Sequence, residues 1–280
     1  MAYIDEQEAF CREIDTFYSA HGLELDPIVM AVPMIACTPE EAEAQNDGLK
    51  AFAGKALFLV EDRWRSQRTM MEARLLAHQH IFSQVYARNC EIRRIDKPLA
   101  SAFLKACHSY GDASCRYRYG LFLKRRTGEK TGTRPDKPSD EGSAGLLVPG
   151  TLVAVSEFSS PRRWEKDGRR VSSYEWVRYA SLPGVRVEGG MGKMLKHFIE
   201  EVKPDDIMSY ADLEWSEGSV YSSLGFEREE DKAAVLFRID IRDWSRTPVR
   251  NFGDHVSNPY YRWYKNFGSA KYRLKLTVGK

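Results

Sequence analysis

The sequence predicts a mixed α+β fold with a central sheet of six to seven strands flanked by helices. Two observations predict this fold class. Between residues 91 and 241, short apolar runs typical of strands alternate with segments of helical periodicity, and a glycine-rich turn leads directly into one helix. The 280 residues are 42% hydrophobic and 29% charged, as in ordinary globular proteins. The chain therefore has enough apolar side chains to build a core.

The first predicted segment, residues 1–88, is an N-terminal helical and αβ extension of the sheet. Apolar residues recur at helical spacing over 6–20, which predicts an amphipathic helix. Two apolar runs, 28–34 and 56–60, predict strands. Residues 61–83 carry many basic side chains and predict one long helix.

The second predicted segment, residues 89–245, holds the sheet, and residues 246–280 follow it as a basic aromatic tail. Glycine, proline and polar residues predict exposed loops at 127–145 and 181–190. Strands are predicted at 92–95, 117–124, 146–158, 173–179, 207–210 and 233–241. Helices are predicted at 97–108, 192–202 and 218–224.

Several features predict a cytoplasmic protein that has no membrane segment and no metal site. No apolar run reaches the roughly 18 residues of a membrane span, and the N-terminus is acidic rather than shaped like a secretory signal. The five cysteines are an odd number and include no Cys-x-x-Cys pair, which favours reduced thiols over disulfides or zinc.

Charge is strongly segregated along the chain, although the formal net charge is only +2. Residues 1–60 carry a net charge of −8, residues 61–126 carry +8 and residues 246–280 carry +7. The tail also interleaves aromatic and basic side chains between 260 and 275, a mixture that can hold phosphates and stack on bases. The two basic segments therefore predict DNA as a partner. The alternative for the tail is that its rings pack on the core while its lysines stay solvated.

The most informative motif lies where the glycine-rich turn enters the helix predicted at 192–202. Glycines let the backbone approach a ligand closely, and the N-terminus of a helix favours a phosphate group. The turn lacks the lysine and hydroxyl ending of a P-loop, as well as the position and spacing of a dinucleotide fingerprint. The candidate cofactor-binding residues are Val187, Gly189, Gly190, Met191, Gly192 and Lys193.

The continuation of this motif resembles the GNAT superfamily of acyl-CoA-dependent N-acyltransferases. In that superfamily a strand, a pyrophosphate loop and a helix bind coenzyme A, and a further strand and short helix end in Tyr-x-x-x-Gly-Phe, as Tyr221 to Phe226 do here. The loop pattern Gln/Arg-x-x-Gly-x-Gly/Ala falls on Val187, Gly190 and Gly192, with valine departing from the usual first residue. The resemblance covers about 91–241. It implies a mostly antiparallel sheet that splays where acetyl-CoA, or a related acyl-CoA, enters.

The resemblance also implies roles for individual side chains. Tyr221 is the candidate general acid that returns a proton to the departing coenzyme A thiolate. Asp212 is the candidate base or substrate-orienting carboxylate, and His108 is a candidate proton shuttle. The candidate substrate-binding residues are Arg116, Arg118, Trp215 and Ser216. Each has a structural alternative, such as a packed tyrosine, a capping acid or a solvated strand face.

A narrower resemblance points to nucleic acid as the acceptor. The strings at 88–93, 108–111, 119–122 and 209–216 look like a phage-associated branch of GNAT-like domains related to the Mom DNA-modification proteins. Those domains often follow a nuclease-like domain, but residues 1–60 lack a convincing Asp…Glu-x-Lys set, so no nuclease activity is predicted. Mom proteins modify adenine in DNA, which implies a nucleobase as acceptor.

Three functions are therefore open. The first is an acyltransferase acting on a nucleic-acid base. The second is a non-catalytic DNA-binding module that keeps the fold without the cofactor, and the third is a GNAT enzyme acting on a small-molecule amine. The sequence does not specify the acyl group or the oligomeric state.

Overall fold

The computed structural model describes residues 2–124, 147–166, 168–249 and 258–276. The exposed loop predicted at 127–145 lies outside these residues. The predicted α+β class is confirmed, since helices and multi-stranded sheets alternate along the described chain. None of the described helices combines the length and hydrophobicity that crossing a membrane requires.

Seven α-helices occur in the described residues. They are α1 (Ala2–Ala20), α2 (Pro39–Leu49), α3 (Glu61–Ser66), α4 (Arg68–His78), α5 (Lys97–Cys107), α6 (Gly190–Val202) and α7 (Ser219–Ser223).

The described residues also form fifteen strands. They are β1 (Val29–Val32), β2 (Leu57–Val60), β3 (Ser83–Tyr86), β4 (Cys90–Arg94), β5 (Tyr117–Leu123), β6 (Leu152–Phe158), β7 (Arg162–Lys166), β8 (Arg169–Ser181), β9 (Val185–Glu188), β10 (Asp206–Asp212), β11 (Glu227–Arg228), β12 (Leu236–Asp240), β13 (Ser245–Pro248), β14 (Tyr261–Lys265) and β15 (Ser269–Lys275).

The chain divides into two compact units, and each is made of two separate stretches. Unit 1 contains Met1–Met71 and Tyr210–Arg273, and unit 2 contains Glu72–Ser209 and Leu274–Lys280. The three-segment division expected from the sequence, with boundaries at 88/89 and 245/246, stays a prediction.

Unit 1 joins the two ends of the chain in one core. Its strands β1 and β2 pair in parallel, while β12 pairs with β13 and β14 in an antiparallel sheet. Phe58 on β2 stacks on Phe267 with ring centroids 4.1 Å apart. The apolar face of α1 places Phe17 edge-on against buried Trp64 at 5.7 Å. The two stretches of chain that make up unit 1 therefore pack against each other in its core.

Unit 2 contains the predicted sheet. Strands β4, β5, β6 and β8 are antiparallel neighbours in that order, and β10 joins β8 in parallel. On one face of the sheet α6 packs Phe198 flat against Phe158, with ring centroids 3.9 Å apart. On the other face α5 packs Leu104 near Val155. The mostly antiparallel arrangement thus follows the expectation.

Four local predictions differ from the structure. The long helix expected at 61–83 is two helices separated at Gln67, and its last residue begins β3. The loop expected at 181–190 contains β9, which pairs with β3, and the tail after 245 contributes three strands. The helix ends at Gln67, whose backbone, with φ of −135° and ψ of 39°, leaves the helical region. The fourth difference is that α2, β7 and β11 lie where no helix or strand was predicted.

Candidate functional site

The glycine-rich turn forms the N-terminus of α6 in unit 2. Gly189 is the N-cap and has a left-handed backbone with φ of 73°, which glycine adopts without strain. The first intrahelical hydrogen bond runs from the Lys193 N–H to the Gly189 carbonyl, at 3.0 Å. By helix geometry, the N–H groups of Gly190, Met191 and Gly192 therefore point beyond the end of the helix. This arrangement suits an anion such as a pyrophosphate.

Two of the predicted cofactor-binding residues also have structural roles. A Cβ atom at Gly190 would lie 2.5 Å from the Tyr179 hydroxyl and 3.0 Å from Val187, so packing alone requires glycine at this position. The side chain of Val187 is buried in the core of unit 2. Neither observation tests cofactor binding through the backbone, which stays a prediction.

The side chain of Lys193 is half-buried, and its ammonium group is hydrogen-bonded to the backbone. It donates to the carbonyl oxygens of Ala87 at 2.8 Å and Cys90 at 2.6 Å, and burial lowers its pKa. These bonds fix the first turn of α6 against the start of β4. The predicted contact of Lys193 with a cofactor would have to compete with them.

Strand β8 offers an open edge close in sequence to this helix N-terminus. Its parallel pairing with β10 covers three residue pairs, from Ser173 with Asp206 to Glu175 with Met208. Residues 176–181 continue to pair with β6 along the opposite edge. The carbonyls of Trp176, Val177 and Arg178 accept hydrogen bonds from side chains. Over 179–181, no described strand of unit 2 pairs with the edge opposite β6. Unpaired backbone groups of this kind can bind an extended, amide-containing ligand.

His108 lies at the end of α5 in unit 2. Its backbone N–H donates to the Leu104 carbonyl and ends the helix, while its Nδ1 accepts from the Tyr110 N–H at 3.1 Å. The half-buried ring therefore helps to shape the turn that follows α5. A proton-shuttling role stays a prediction.

The two predicted substrate-binding arginines occupy different environments. Arg116 is exposed, whereas Arg118 donates from Nε to Oε1 of Glu157 at 3.1 Å. Glu157 is fully buried, and its Oε2 atom has no hydrogen-bond partner among the described residues. Burial raises the pKa of Glu157, and it raises the pKa of the neighbouring Cys115 thiol to about 12. Sequence reasoning missed Glu157, whose only signal is an acid inside an apolar strand.

The remaining predicted site residues lie in unit 1, where Asp212 ends β10 and Trp215, Ser216 and Tyr221 follow it. Asp212 Oδ1 accepts from the Glu214 N–H at 3.0 Å, and the Asp212 carbonyl accepts from the N–H groups of Trp215 and Ser216. Ser216 Oγ in turn accepts from the Gly218 N–H at 2.9 Å. Asp212 and Ser216 thus organise the turn that leads to α7, and Trp215 is half-buried beside them.

Tyr221 lies on α7 and is half-buried. Its ring stacks on Tyr272 with centroids 5.3 Å apart and meets the edge of Phe226 at 5.6 Å. These contacts fix the direction of the ring. They are compatible with the predicted acid and with a packing role, so catalysis by Tyr221 stays a prediction.

A buried charge cluster behind this turn was not predicted from the sequence. Arg246 donates to both carboxylate oxygens of Asp62 at 2.6 Å, and its Nη1 lies 3.8 Å from Oε1 of Glu214. Tyr264 donates to the same Glu214 oxygen at 2.7 Å. Burial and the nearby charge of Asp212 raise the pKa of Glu214 to about 7. We refer to Asp62, Arg246, Glu214 and Tyr264 as the buried cluster.

The predicted nucleic-acid role of the tail has little support in its described side chains. The rings of Trp263, Tyr264, Phe267 and Tyr272 are buried and therefore cannot stack on bases. Three basic side chains of the tail also form ion pairs within the protein. Lys265 pairs with an acid on α2, while Lys271 and Arg273 both pair with Glu229. The rings therefore pack on the core, as in the alternative given for the tail, but Lys265 and Lys271 form ion pairs rather than staying solvated.

Comparison with known proteins gives structural likeness alone. No family model matches the sequence, and no curated protein matches it. One similar solved structure is a conserved protein of Enterococcus faecalis V583 described as a probable N-acyltransferase, with a TM-score of 0.33 and 14% identity over 56% of this chain. The match covers 36% of that protein, about a third of its length.

Two further solved structures are similar at the same level. One is described as histone acetyltransferase HPA2 and related acetyltransferase from Corynebacterium glutamicum, with a TM-score of 0.30 and 12% identity over 60% of this chain and 68% of that one. The other is the NatC complex bound to Gag peptide and CoA, with a TM-score of 0.34 and 13% identity over 68% of this chain and 99% of that one. Likeness at these scores decides nothing about function.

Proposed function

We propose that this protein is an N-acyltransferase that binds an acyl-CoA between the N-terminus of α6 and the open edge of β8. The observation that carries the proposal is that these two binding features follow one another along the chain. The N–H groups of Gly190, Met191 and Gly192 suit the pyrophosphate of coenzyme A. The open edge over 179–181 suits an amide of its pantetheine arm.

Acyl-CoA would supply an activated thioester carbon for attack by an amine. The chain's own residues would orient the amine, accept its proton and return a proton to the sulfur as the carbon–sulfur bond breaks. We assign the last role to Tyr221 and the proton-accepting or orienting role to Asp212, in line with the resemblance to the GNAT superfamily. The predicted roles of His108, Arg116 and Arg118 in unit 2, and of Trp215 and Ser216 in unit 1, in binding the acceptor remain part of the proposal.

For the acceptor we propose an amine on a nucleic-acid base, as the narrower resemblance to Mom-related proteins implies. The net charge of +8 over residues 61–126 supports a polyanionic acceptor. A small-molecule amine is the competing acceptor. A DNA-binding module without enzymatic activity is the competing function.

Release of free thiol from acetyl-CoA tests the proposal. The purified full-length chain is incubated with acetyl-CoA and with adenine-containing duplex DNA, a panel of small amines, or no acceptor. Thiol release that depends on DNA supports the proposal. Release with small amines alone would show that the acceptor is a small amine rather than a nucleic-acid base. Coenzyme A binding without turnover on any acceptor, or no binding at all, would contradict acyl transfer.

A further inference from the structure

Strand β7 and the start of β8 form a two-stranded ribbon that is rich in basic side chains. Residues 162–170 contain five arginines or lysines and two acids. β7 pairs with β8 and with no other described strand, in the register Arg162 with Ser173 to Lys166 with Arg169. Gly168 at the turn has a φ of 72°, which allows the tight reversal. We call residues 162–173 the basic ribbon.

Three arginines of the basic ribbon form no ion pair with an acid in the described part of the chain. Arg162, Arg163 and Arg170 are exposed, and none of them forms an ion pair with any described residue, although the register places Glu165 opposite Arg170. Other arginines of unit 2 differ, because Arg94 pairs with Glu201 and Arg118 pairs with Glu157. The ribbon therefore presents three available guanidinium groups, which favours a polyanionic partner.

The cations lie on both faces of the ribbon. Side chains alternate between faces along a strand, so Arg162 and Trp164 share one face. Arg163 lies on the other face, and the register places Arg170 on the same face as Arg163. A two-stranded ribbon fits the major groove of duplex DNA, where phosphates line both sides. Basic side chains on both faces match that arrangement.

Trp164 is held in an outward position between these arginines. Its indole Nε1–H donates to Ser173 Oγ at 2.9 Å, and Ser173 Oγ donates to the carboxylate of buried Asp206 at 2.6 Å. The ring nevertheless remains 47% exposed. An anchored but exposed ring can contact base edges, such as a thymine methyl group, with little loss of side-chain entropy.

A second observation extends the positive surface beyond the ribbon. Burial raises the pKa of Tyr174, and the guanidinium groups of Arg163 and Arg116 both lie close enough to oppose that rise. Arg116 comes from β5's N-terminal flank and is exposed. The guanidinium group of Arg116 lies 5.7 Å from the ring centroid of Tyr117, which meets the edge of Tyr174 at 6.0 Å. Positive charge therefore continues from the ribbon to the start of β5.

We propose that the basic ribbon binds duplex DNA by entering the major groove, with Arg162, Arg163 and Arg170 on backbone phosphates and Trp164 on base edges. This surface differs from the two basic segments predicted from the sequence. It would present DNA to the proposed acyltransferase, but binding through it does not require acyl transfer.

Fluorescence anisotropy with a labelled 20-base-pair duplex tests the proposal, using the full-length chain without acyl-CoA at NaCl concentrations from about 50 to 300 mM. The triple variant Arg162→Gln/Arg163→Gln/Arg170→Gln should weaken binding at least about tenfold at the lowest salt. It should also reduce the slope of log affinity against log salt by roughly two to three, since each phosphate contact contributes about 0.9. The triple Arg→Lys variant keeps the charge and should retain most of that slope.

The matched control removes the same charge from exposed positions outside the basic ribbon and outside both predicted basic segments, as Lys50→Gln/Lys55→Gln/Lys196→Gln. It should bind within about twofold of the unchanged protein, and a labelled single strand should bind more weakly than the duplex. The proposal would be overturned if the Arg→Gln ribbon variant and the Lys→Gln control variant lost equal affinity, or if only the control variant lost affinity. Equal affinity for single-stranded and duplex DNA would also overturn it. Acyl-CoA is omitted from this experiment, so absence of DNA binding would leave the acyltransferase proposal standing. Absence of acyl transfer would likewise leave the proposed DNA binding by the ribbon standing.

Discussion

The carboxyl group of Glu214 illustrates how single residues in unit 1 depend on their neighbours. It is fully buried, accepts a hydrogen bond from Tyr264 and lies 3.8 Å from Arg246, whose main partner is Asp62. Arg246 therefore satisfies one carboxylate and only partly compensates the second. A buried charge without a full partner is costly, which is why the pKa of Glu214 rises to about 7.

This raised pKa predicts how stability depends on pH. An unfolded glutamate has a pKa near 4.5, so between about 4.5 and 7 the folded protein keeps a proton that the unfolded chain has lost. The contribution of Glu214 to stability is therefore fully present below about pH 4.5. It is lost as pH rises towards 7, by up to about 3 kcal/mol. Glu214→Gln should remove this dependence while keeping an acceptor for Tyr264.

Urea unfolding at pH 5, 6 and 7.5 measures the effect. The difference in unfolding free energy between the unchanged protein and Glu214→Gln should shift in favour of the variant as pH rises. Other titrating groups, including Glu157, cancel in this difference because both proteins contain them. A difference that stays constant with pH would show that Glu214 is already ionised at pH 5.

Tyr221 gives a second prediction at the residue scale. Tyr221→Phe keeps the ring that stacks on Tyr272 and removes only the hydroxyl. If Tyr221 protonates the leaving thiolate, turnover should fall about 10²- to 10⁴-fold with little change in coenzyme A affinity or stability. Steady-state kinetics with titration calorimetry separates these quantities. Unchanged turnover would remove Tyr221 from the mechanism and leave it a packing residue.

At the scale of elements, the start of α6 is fixed by Lys193 rather than by a side-chain cap. Its ammonium group satisfies the carbonyl oxygens of Ala87 and Cys90, which would otherwise be left without this charged donor. Lys193→Met should therefore lower stability by about 1–3 kcal/mol in the absence of any ligand. Thermal or urea unfolding checks this. Lost coenzyme A affinity with unchanged stability would instead assign Lys193 to the cofactor.

The packing of α6 against β8 gives a further prediction. A methyl group at Gly190 would collide with the Tyr179 hydroxyl, so Gly190→Ala should cost about 1–3 kcal/mol of stability. Removing the hydroxyl with Tyr179→Phe should relieve part of that cost, and a double-mutant cycle measures the coupling. Gly48→Ala in α2 is the control, because nothing lies within 4 Å of its added Cβ. Additive effects at Gly190 and Tyr179 would contradict the packing.

The elements that could be predicted are those whose signals are local. Helix α5 begins after Asp96, which caps the Leu99 N–H, and its apolar periodicity is strong. Helix α2 begins with a local capping signal, formed by Thr38, Pro39 and Glu41. It was nevertheless missed because its composition is polar and it buries few residues. β13 was missed because it is a short and largely exposed strand, although it pairs with the neighbouring β12. β3, β14 and β15 were missed because their partners are distant in sequence. Such pairing gives no periodic signal by itself.

At the scale of the whole molecule, the same reasoning explains what the sequence could say about the site. The glycine turn and Tyr221 lie in recognisable local motifs, so their elements were placed correctly. Asp62 and Arg246 are 184 positions apart, and no local pattern connects them. The tail aromatics looked available for stacking because composition does not distinguish a buried ring from an exposed one. Burial in unit 1 depends on both ends of the chain.

The central claim is that the N-terminus of α6 binds the pyrophosphate of coenzyme A. Calorimetric titration with coenzyme A tests it most directly, using the matched pair Gly192→Asp and Gly192→Asn. Both variants add similar bulk, and an acid is compatible with the first turn of a helix, so the pair differs mainly by one negative charge facing the ligand. We predict micromolar binding that Gly192→Asp weakens at least about tenfold relative to Gly192→Asn. No binding by the unchanged protein, or equal affinities for the two variants, would contradict the claim.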